Sequence, residues 1–305
     1  MNSTKQQLIV IFGPTASGKT DLSLDLAQKL GTEIINADSR QIYKYLNIGT
    51  AKPVPDDITS DEFLVKGIKH YLIDFLDPKE RYNAYEFGNE SKKVIAKLHQ
   101  QNKIPILCGG TGLYIDVSTG RRKLQPTIIN EDLRAELNQL ELKDLQVKAK
   151  KVNNKQYENL NESDKNNPRR LIRLIEKTLN DSKTVPIQEE DYDVFYFCPE
   201  FDRDQLISRI EERVVEMFDS GWIEEVEELL SSGYTNQDPG LEIMGYAEIL
   251  RYLDKEISKD ELIELTKTAH RQYAKRQLTW MKQYQKILFA KNANQIINHL
   301  KQHPF

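Results

Sequence analysis

Cysteine is scarce in this chain of 305 residues: Cys108 and Cys198 are the only two, and they lack the C-x-x-C spacing of a metal or redox site. A disulfide scaffold and a cysteine-held zinc site are thereby excluded. Each cysteine ends a strand-like run and is expected to be a buried thiol of a reducing compartment, which points to the cytoplasm. Histidine is also sparse, at five residues. His299 and His303 stand one helical turn apart, but without further ligands they read as a solvated tail rather than a metal site. Long hydrophobic runs are missing, mean hydropathy is -0.62, and Met1-Asn2-Ser3-Thr4-Lys5 leads into a strand-like segment rather than a signal sequence. No membrane association is expected. Nor is there an internal repeat, a low-complexity segment or an excess of positive charge: 43 Lys and Arg against 47 Asp and Glu give a net charge of -4. That balance argues against a protein uniformly coated for nucleic-acid binding.

The average hides an asymmetry. From residue 266 onward the chain carries Lys267, Arg271, Lys275, Arg276, Lys282, Lys286, Lys291 and Lys301 and no Asp or Glu. Such a stretch requires a polyanion or an acidic neighbour. The second is real, because Glu211, Glu212, Glu216, Glu224, Glu225, Glu227 and Glu228 form an acidic series that could face it, and nucleic acid stays open as the first.

The strongest local signal is Gly13-Pro14-Thr15-Ala16-Ser17-Gly18-Lys19-Thr20, which satisfies G-x-x-x-x-G-K-[ST] at every required position. Residues 8–12 before it are continuously apolar, as in a strand buried on both faces, and Leu22, Leu26, Ala27 and Leu30 follow at helical spacing. The chemistry explains the residue types. Glycines let backbone N–H groups approach phosphate oxygens, Lys19 adds a point charge, and Thr20 offers a hydroxyl to Mg²⁺. A diphosphate or triphosphate ligand is therefore expected.

Strand-like segments at 8–12, 33–37, 70–73 and 104–108 alternate with helical ones, a doubly wound α/β pattern. Residues 121–186 have no comparable strands and show helical periodicity, as a helical insertion would. Residues 194–198 read as a further buried strand, followed by helices over 202–230, 241–254 and 258–289. The predicted organisation is a P-loop core of 1–120 and 187–305, a parallel sheet flanked by helices, with an insertion domain at 121–186. In an open parallel sheet, ligands collect beyond the carboxyl ends of the strands. This rule brings the P-loop, Asp38-Ser39-Arg40-Gln41 and Gly109-Gly110-Thr111-Gly112 to one rim. Asp38 would act there as a Mg²⁺ ligand or as a base, and spacing alone does not choose. The glycines around Thr111 imply close backbone approach or positive φ.

Taken with the P-loop, several runs resemble the bacterial tRNA dimethylallyltransferases: Ala37-Asp38-Ser39-Arg40-Gln41-Ile42-Tyr43, Ile48-Gly49-Thr50-Ala51-Lys52-Pro53 and Gly109-Gly110-Thr111-Gly112-Leu113-Tyr114. The resemblance continues through His70-Tyr71-Leu72-Ile73-Asp74, Asn167-Pro168-Arg169-Arg170, Arg209-Ile210-Glu211-Glu212-Arg213, Gly245-Tyr246 and Lys275-Arg276-Gln277-Leu278-Thr279-Trp280, so it spans nearly the whole chain in order. Cys108 before the Gly-Gly-Thr run and Asn166-Asn167 in the insertion are small departures from the family pattern.

The resemblance implies transfer of a dimethylallyl group from dimethylallyl diphosphate to the exocyclic amine of the adenine on the 3′ side of the anticodon. The P-loop, Gly13, Pro14, Thr15, Ala16, Ser17, Gly18, Lys19 and Thr20, would then hold a diphosphate leaving group with Mg²⁺ on Thr20. Lys19 and Arg213 would stabilise its charge, Asp38 would accept the amine proton, and Thr111 would reach the bridging oxygen or the amine itself. The target adenine must be extruded from the anticodon loop. The resemblance places Asp38, Ser39, Arg40, Gln41 and Thr111 near it, adds Tyr246, and assigns Arg134, Arg169, Arg170 and Arg173 to the anticodon stem-loop, with Arg271, Lys275 and Arg276 as further backbone contacts. Composition supports a phosphate-binding patch independently: Lys165, Arg169, Arg170, Arg173 and Lys177 oppose only Glu176 in their window. No obligate protein partner is implied. Rival readings are a P-loop kinase using Arg209 and Arg213, a nucleotide-regulated RNA-binding module, and prenylation of free adenine nucleotides, whose enzymes generally lack the insertion.

Overall fold

The structure is a computed structural model that describes residues 5–125, 130–179 and 191–302. In chain order it begins with β1 (Gln7–Phe12), α1 (Lys19–Leu30), β2 (Ile34–Asn36), β3 (Leu64–Val65), β4 (Ile68–Tyr71), α2 (Ala84–Gln100), β5 (Ile106–Gly109) and α3 (Gly112–Thr119). Helices α4 (Glu131–Asn138), α5 (Leu142–Val152), α6 (Asn154–Glu158), α7 (Glu162–Lys165) and α8 (Pro168–Leu179) follow. The remainder is β6 (Asp193–Pro199), α9 (Arg203–Asp219), α10 (Trp222–Ser231), α11 (Tyr246–Leu253), α12 (Lys259–Met281), β7 (Ile287–Ala290) and α13 (Ala293–Gln302). Two compact units result, Met1–Arg122 with Gln188–Phe305 and, separately, Lys123–Ile187.

The first unit is built on a sheet of order β3-β4-β2-β5-β1-β6-β7. All neighbours run parallel except β3, which pairs antiparallel with β4 through a turn whose residues Lys66 and Gly67 both have positive φ. β1 is central and every residue of it is buried, which is why its sequence is a continuous apolar run rather than an alternating one. On one face Ile11, Leu26, Ile34, Ile106, Ala293 and Ile296 form the core. A second core gathers around Trp222, with Ile42, Leu46, Tyr246, Ile249 and Leu262. Gly49 and Gly245 admit that ring: a Cβ on either would stand within 2.1 Å or 1.9 Å of the indole.

Several boundaries differ from expectation: the helix expected over 241–254 begins only at Tyr246. The helix expected over 202–230 breaks at Gly221, whose φ of +94° ends α9 and starts α10. The helix expected over 258–289 stops at Met281, and Ile287-Leu288-Phe289-Ala290 returns to the sheet as β7 beside β6. α13 then packs on α1, and His299 lies against the rings of Phe195 and Phe197. His303 lies outside the described residues. No helix among the described residues is long and apolar enough to cross a membrane.

In the second unit every described element is a helix. Leu137, Leu145, Ala149, Leu171, Ile172, Leu174 and Ile175 form its core, so α8 buries one apolar stripe; its basic residues lie off that stripe, whereas Glu176 is buried with it.

Candidate active site

The P-loop follows from β1. Leaving the sheet at Gly13, the chain turns where a Cβ would meet Cys198 Sγ and Ser17 Oγ at 3.0 Å, and reaches α1 through Gly18 at φ +87°. Gly18 caps α1 without any side-chain hydrogen bond, so the amides of the first turn have no capping acceptor and suit an anion. Lys19 Nζ donates to the Pro14 carbonyl at 2.6 Å, and Arg213 Nη1 donates to Thr15 Oγ1 at 3.3 Å. The loop, Lys19 and Arg213 therefore meet, although α9 is distant in sequence. Ser17 Oγ is buried without a partner. Thr20 stands exposed on the first turn of α1. Among the described residues no group of three or more His, Cys, Asp and Glu could hold a metal. A divalent ion would thus take most of its ligands from a diphosphate and water, which suits Mg²⁺ with the hard hydroxyl oxygen of Thr20.

Beside this cradle, the strand ends are laced together. Ala37 N–H donates to the Cys108 carbonyl at 2.7 Å and Thr111 N–H to the Ala37 carbonyl at 3.1 Å. Ser39 N–H donates to Thr111 Oγ1 at 3.0 Å, and the Thr111 hydroxyl lies 3.2 Å from Ser39 Oγ. Asp38 is pinned by its own turn: Arg40 N–H donates to Asp38 Oδ1 at 3.0 Å, while Asp38 N–H donates to Asn36 Oδ1 at 3.1 Å. Burial lowers the Lys19 pKa, the Cys108 thiol and the Asp38 carboxylate oppose that, and Arg213 lowers it further. Burial likewise lowers Arg213, against Asp38 and Glu216. Asp38 is half-buried, and its turn is joined to the cradle through the strand ends: Ser39 is bound to Thr111, and the neighbouring Gly110 shares Gln277 with Thr15 of the P-loop.

Of the two explanations for the glycine turn, close approach is the one observed, because Gly109, Gly110 and Gly112 all lack positive φ. A Cβ would stand 2.2 Å from the Ala37 backbone at Gly109, 1.9 Å from Gln277 Nε2 at Gly110 and 2.1 Å from Trp280 at Gly112. Gln277 donates to the Gly110 carbonyl at 3.1 Å and accepts the Thr15 N–H at 2.8 Å. Sequence reasoning assigned Gln277 no role. That Thr266, His270 and Gln277 place polar side chains on the buried face of α12 emerges only from the fold.

Arg40 stacks over Tyr273 at 3.5 Å, and Arg276 stands 5.7 Å from the same ring. Burial raises the Tyr273 phenol, as does Asp38. Gln41 lies nearby and spends its amide nitrogen on the carbonyls of Thr50 and Ala51, at 3.2 Å and 3.0 Å. Lys275 is exposed.

One expectation needs correction, and two others gain acidic partners. Tyr246 is 0% exposed and donates its hydroxyl to Glu225 at 2.5 Å, so it is a core residue that an RNA surface does not reach. Arg271 forms an ion pair with Glu211, so one member of the acidic series is a partner of the basic helix. In the insertion, Arg134 grips Glu176 with two hydrogen bonds at 2.8 Å and 3.0 Å, and Arg173 lies 3.9 Å from the same carboxylate. Arg170 pairs with Asp164, and Lys165 with Glu162 and Glu158. The basic window is thus partly neutralised by acids just outside it, while Arg169 keeps an exposed place on the first turn of α8.

The description of a known family, IPP transferase, matches residues 41–284. The chain is 40% identical over 286 residues to a tRNA dimethylallyltransferase of Clostridioides difficile, covering 92% of this chain and 90% of that one. It is 39% identical over 298 residues to a tRNA dimethylallyltransferase of Alkaliphilus oremlandii, covering 93% and 90%. Among solved structures it is similar to a tRNA isopentenylpyrophosphate transferase of Bacillus halodurans, with a TM-score of 0.68 at 32% identity over 94% of this chain and 90% of that one. A eukaryotic dimethylallyltransferase acting on tRNA superposes with a TM-score of 0.71 at 25% identity, over 98% of this chain and 77% of that one. These similarities do not favour the kinase alternative.

Proposed function

The chain belongs to the IPP transferase family, and from that premise we propose that it transfers a dimethylallyl group from dimethylallyl diphosphate to the exocyclic amine of the adenine on the 3′ side of the anticodon in tRNA. The observation that carries this reading is that Arg213 and Lys19 both close on the P-loop, while Gln277 ties that loop to the turn of Thr111, on which Ser39 of the Asp38 turn is held. In the reaction the allylic carbon–oxygen bond breaks and a carbon–nitrogen bond forms. Diphosphate leaves with the bonding electron pair, and the amine proton passes to Asp38. Negative charge grows on the leaving oxygens, where Lys19, Arg213 and the amides of the loop 13–20 act. Thr20 and the diphosphate would hold Mg²⁺, which supplies further neutralisation of that charge. An adenine amine is a weak nucleophile, so holding it about 3 to 3.5 Å from the allylic carbon contributes much of the rate.

In this reading Ser39, Arg40, Gln41 and Thr111 would meet the extruded base, with Arg276, which shares the Tyr273 ring with Arg40, beside them. Arg169, exposed on the first turn of α8, is a candidate for the anticodon stem-loop. The two unpaired thiols fit a cytoplasmic enzyme.

Incubation of the pure protein with Mg²⁺ and labelled dimethylallyl diphosphate, plus unmodified tRNA or free adenine nucleotides, tests the proposal. Label in tRNA is expected. Label only in free nucleotides, or ATP turnover without prenyl transfer in a parallel reaction, would overturn it.

A further inference from the structure

Gln277 is 3% exposed, yet both ends of its amide are committed to loops remote from it in sequence. Oε1 accepts from Thr15 N–H at 2.8 Å, and Nε2 donates to the Gly110 carbonyl at 3.1 Å. A buried amide satisfied at both ends by main chain has one orientation, since a flip would set its NH₂ against the Thr15 N–H and its oxygen against the Gly110 carbonyl. It is therefore a fixed-length strut. One end stands on the loop that carries Lys19, and the other stands on the turn that carries Thr111. Gly110 is shaped to receive it, because a Cβ there would lie 1.9 Å from Gln277 Nε2. Arg213 holds the same Thr15 through its hydroxyl, at 3.3 Å.

We infer that Gln277 is a positioning residue, which sets the separation between the departing diphosphate and the attacking amine by tying the P-loop to the Gly-Gly-Thr turn. It touches no reacting atom and acts through Thr15 and Gly110. The inference rests on the prenyl-transfer reading. A residue that merely filled the core would, when changed, lower stability and leave the turnover of folded enzyme intact.

The test compares Gln277→Ala, Gln277→Glu, Gly110→Ala and the Gln277→Ala/Gly110→Ala pair. Each is measured for kcat and KM with tRNA and dimethylallyl diphosphate, for Kd of inorganic diphosphate and for Tm. Gln277→Glu keeps an acceptor for Thr15 but opposes the Gly110 carbonyl with a second one. The expected result is a kcat lowered about 10²-fold, the scale of a misplacement near 1 Å, with KM for tRNA and Kd for diphosphate changed less than about 3-fold. Gly110→Ala should lower kcat comparably by displacing the amide. The double variant should be no worse than Gln277→Ala alone, since the next atom facing the new Cβ is the Gly13 carbonyl oxygen at 3.5 Å. Unchanged kcat in folded variants, or losses that simply add, would overturn the inference. Should Gln277→Ala not fold, Gln277→Glu and Gly110→Ala carry the same comparison. A wild-type enzyme that fails to label tRNA overturns the prenyl-transfer reading itself, whereas an active wild type matched by its variants overturns only the strut.

Discussion

Lys19 donates its ammonium to the carbonyl of Pro14 at 2.6 Å, so the cation lies folded back across its own loop. Burial holds its pKa below the usual lysine range, with Cys108 and Asp38 opposing and Arg213 adding to the effect. An arriving diphosphate exchanges a carbonyl dipole for full negative charge and stabilises the protonated form. Affinity for inorganic diphosphate is thus expected to fall as pH rises through the depressed Lys19 pKa, at lower pH than an ordinary lysine would produce. Binding should take up protons in that window. Calorimetry in two buffers of different ionisation enthalpy measures the uptake, and Lys19→Met separates it from ionisation of the ligand. Equal proton uptake in wild type and variant would remove Lys19 from the effect.

Asp38→Asn isolates the proton-accepting role, because an asparagine oxygen can still accept from Arg40 N–H, as Asp38 Oδ1 does at 3.0 Å. The turn should persist while the base is lost. Turnover is expected to fall about 10²-fold or more with tRNA affinity within a few-fold. A variant that binds tRNA poorly but turns over normally at saturation would show that residue 38 recognises the base and does no proton transfer.

The insertion arginines should separate into two classes. Arg169→Ala is expected to flatten the dependence of log Kd for tRNA on log salt by about one unit, as loss of one phosphate contact does. Arg134→Ala should act on stability instead, since Glu176 is only 2% exposed and would lose its bidentate partner. The cost is about 2 kcal/mol or more, moderated by Arg173 at 3.9 Å. Thermal melting and salt-dependent binding of both variants decide the assignment. A flattened slope for Arg134→Ala with unchanged melting would reverse it.

The central strands, the P-loop and the shared rim were legible because each is encoded locally, by a short apolar run followed by glycine and polar residues. What escaped was encoded in pairs. β7 reads as apolar in either a helix or a strand, and its pairing with β6 decides the outcome. Arg134 and Arg271 look like surface cations until Glu176 and Glu211 are brought to them. Gln277 acquires its role from two loops that are remote in sequence. Gly110 and Gly112 were recognisable as positions of close approach or positive φ, but the choice between these, and their neighbours Gln277 and Trp280, are visible only in the fold.

Tyr246→Phe tests whether a residue placed among the RNA contacts by resemblance belongs to the core. Glu225 receives the Tyr246 hydroxyl at 2.5 Å and, through its other oxygen, the N–H groups of Asn47 and Ile48 at 2.9 Å each. This carboxylate ties α10 and α11 to the loop that carries Gly49, which in turn closes on Trp222. Burial, and then Glu225, hold the Tyr246 phenol well above the usual tyrosine range, so it remains a donor at any working pH. Removing the hydroxyl leaves Glu225 with two backbone donors and leaves the aromatic ring in place. The expected cost is about 1–2 kcal/mol, a fall in Tm of a few degrees for a chain of this size. Affinity for tRNA and its salt slope should be unchanged, because a side chain with no exposed surface contributes no phosphate contact. Melting and binding measured on the same preparation separate the two roles, and lost tRNA affinity at unaltered Tm would return Tyr246 to the interface.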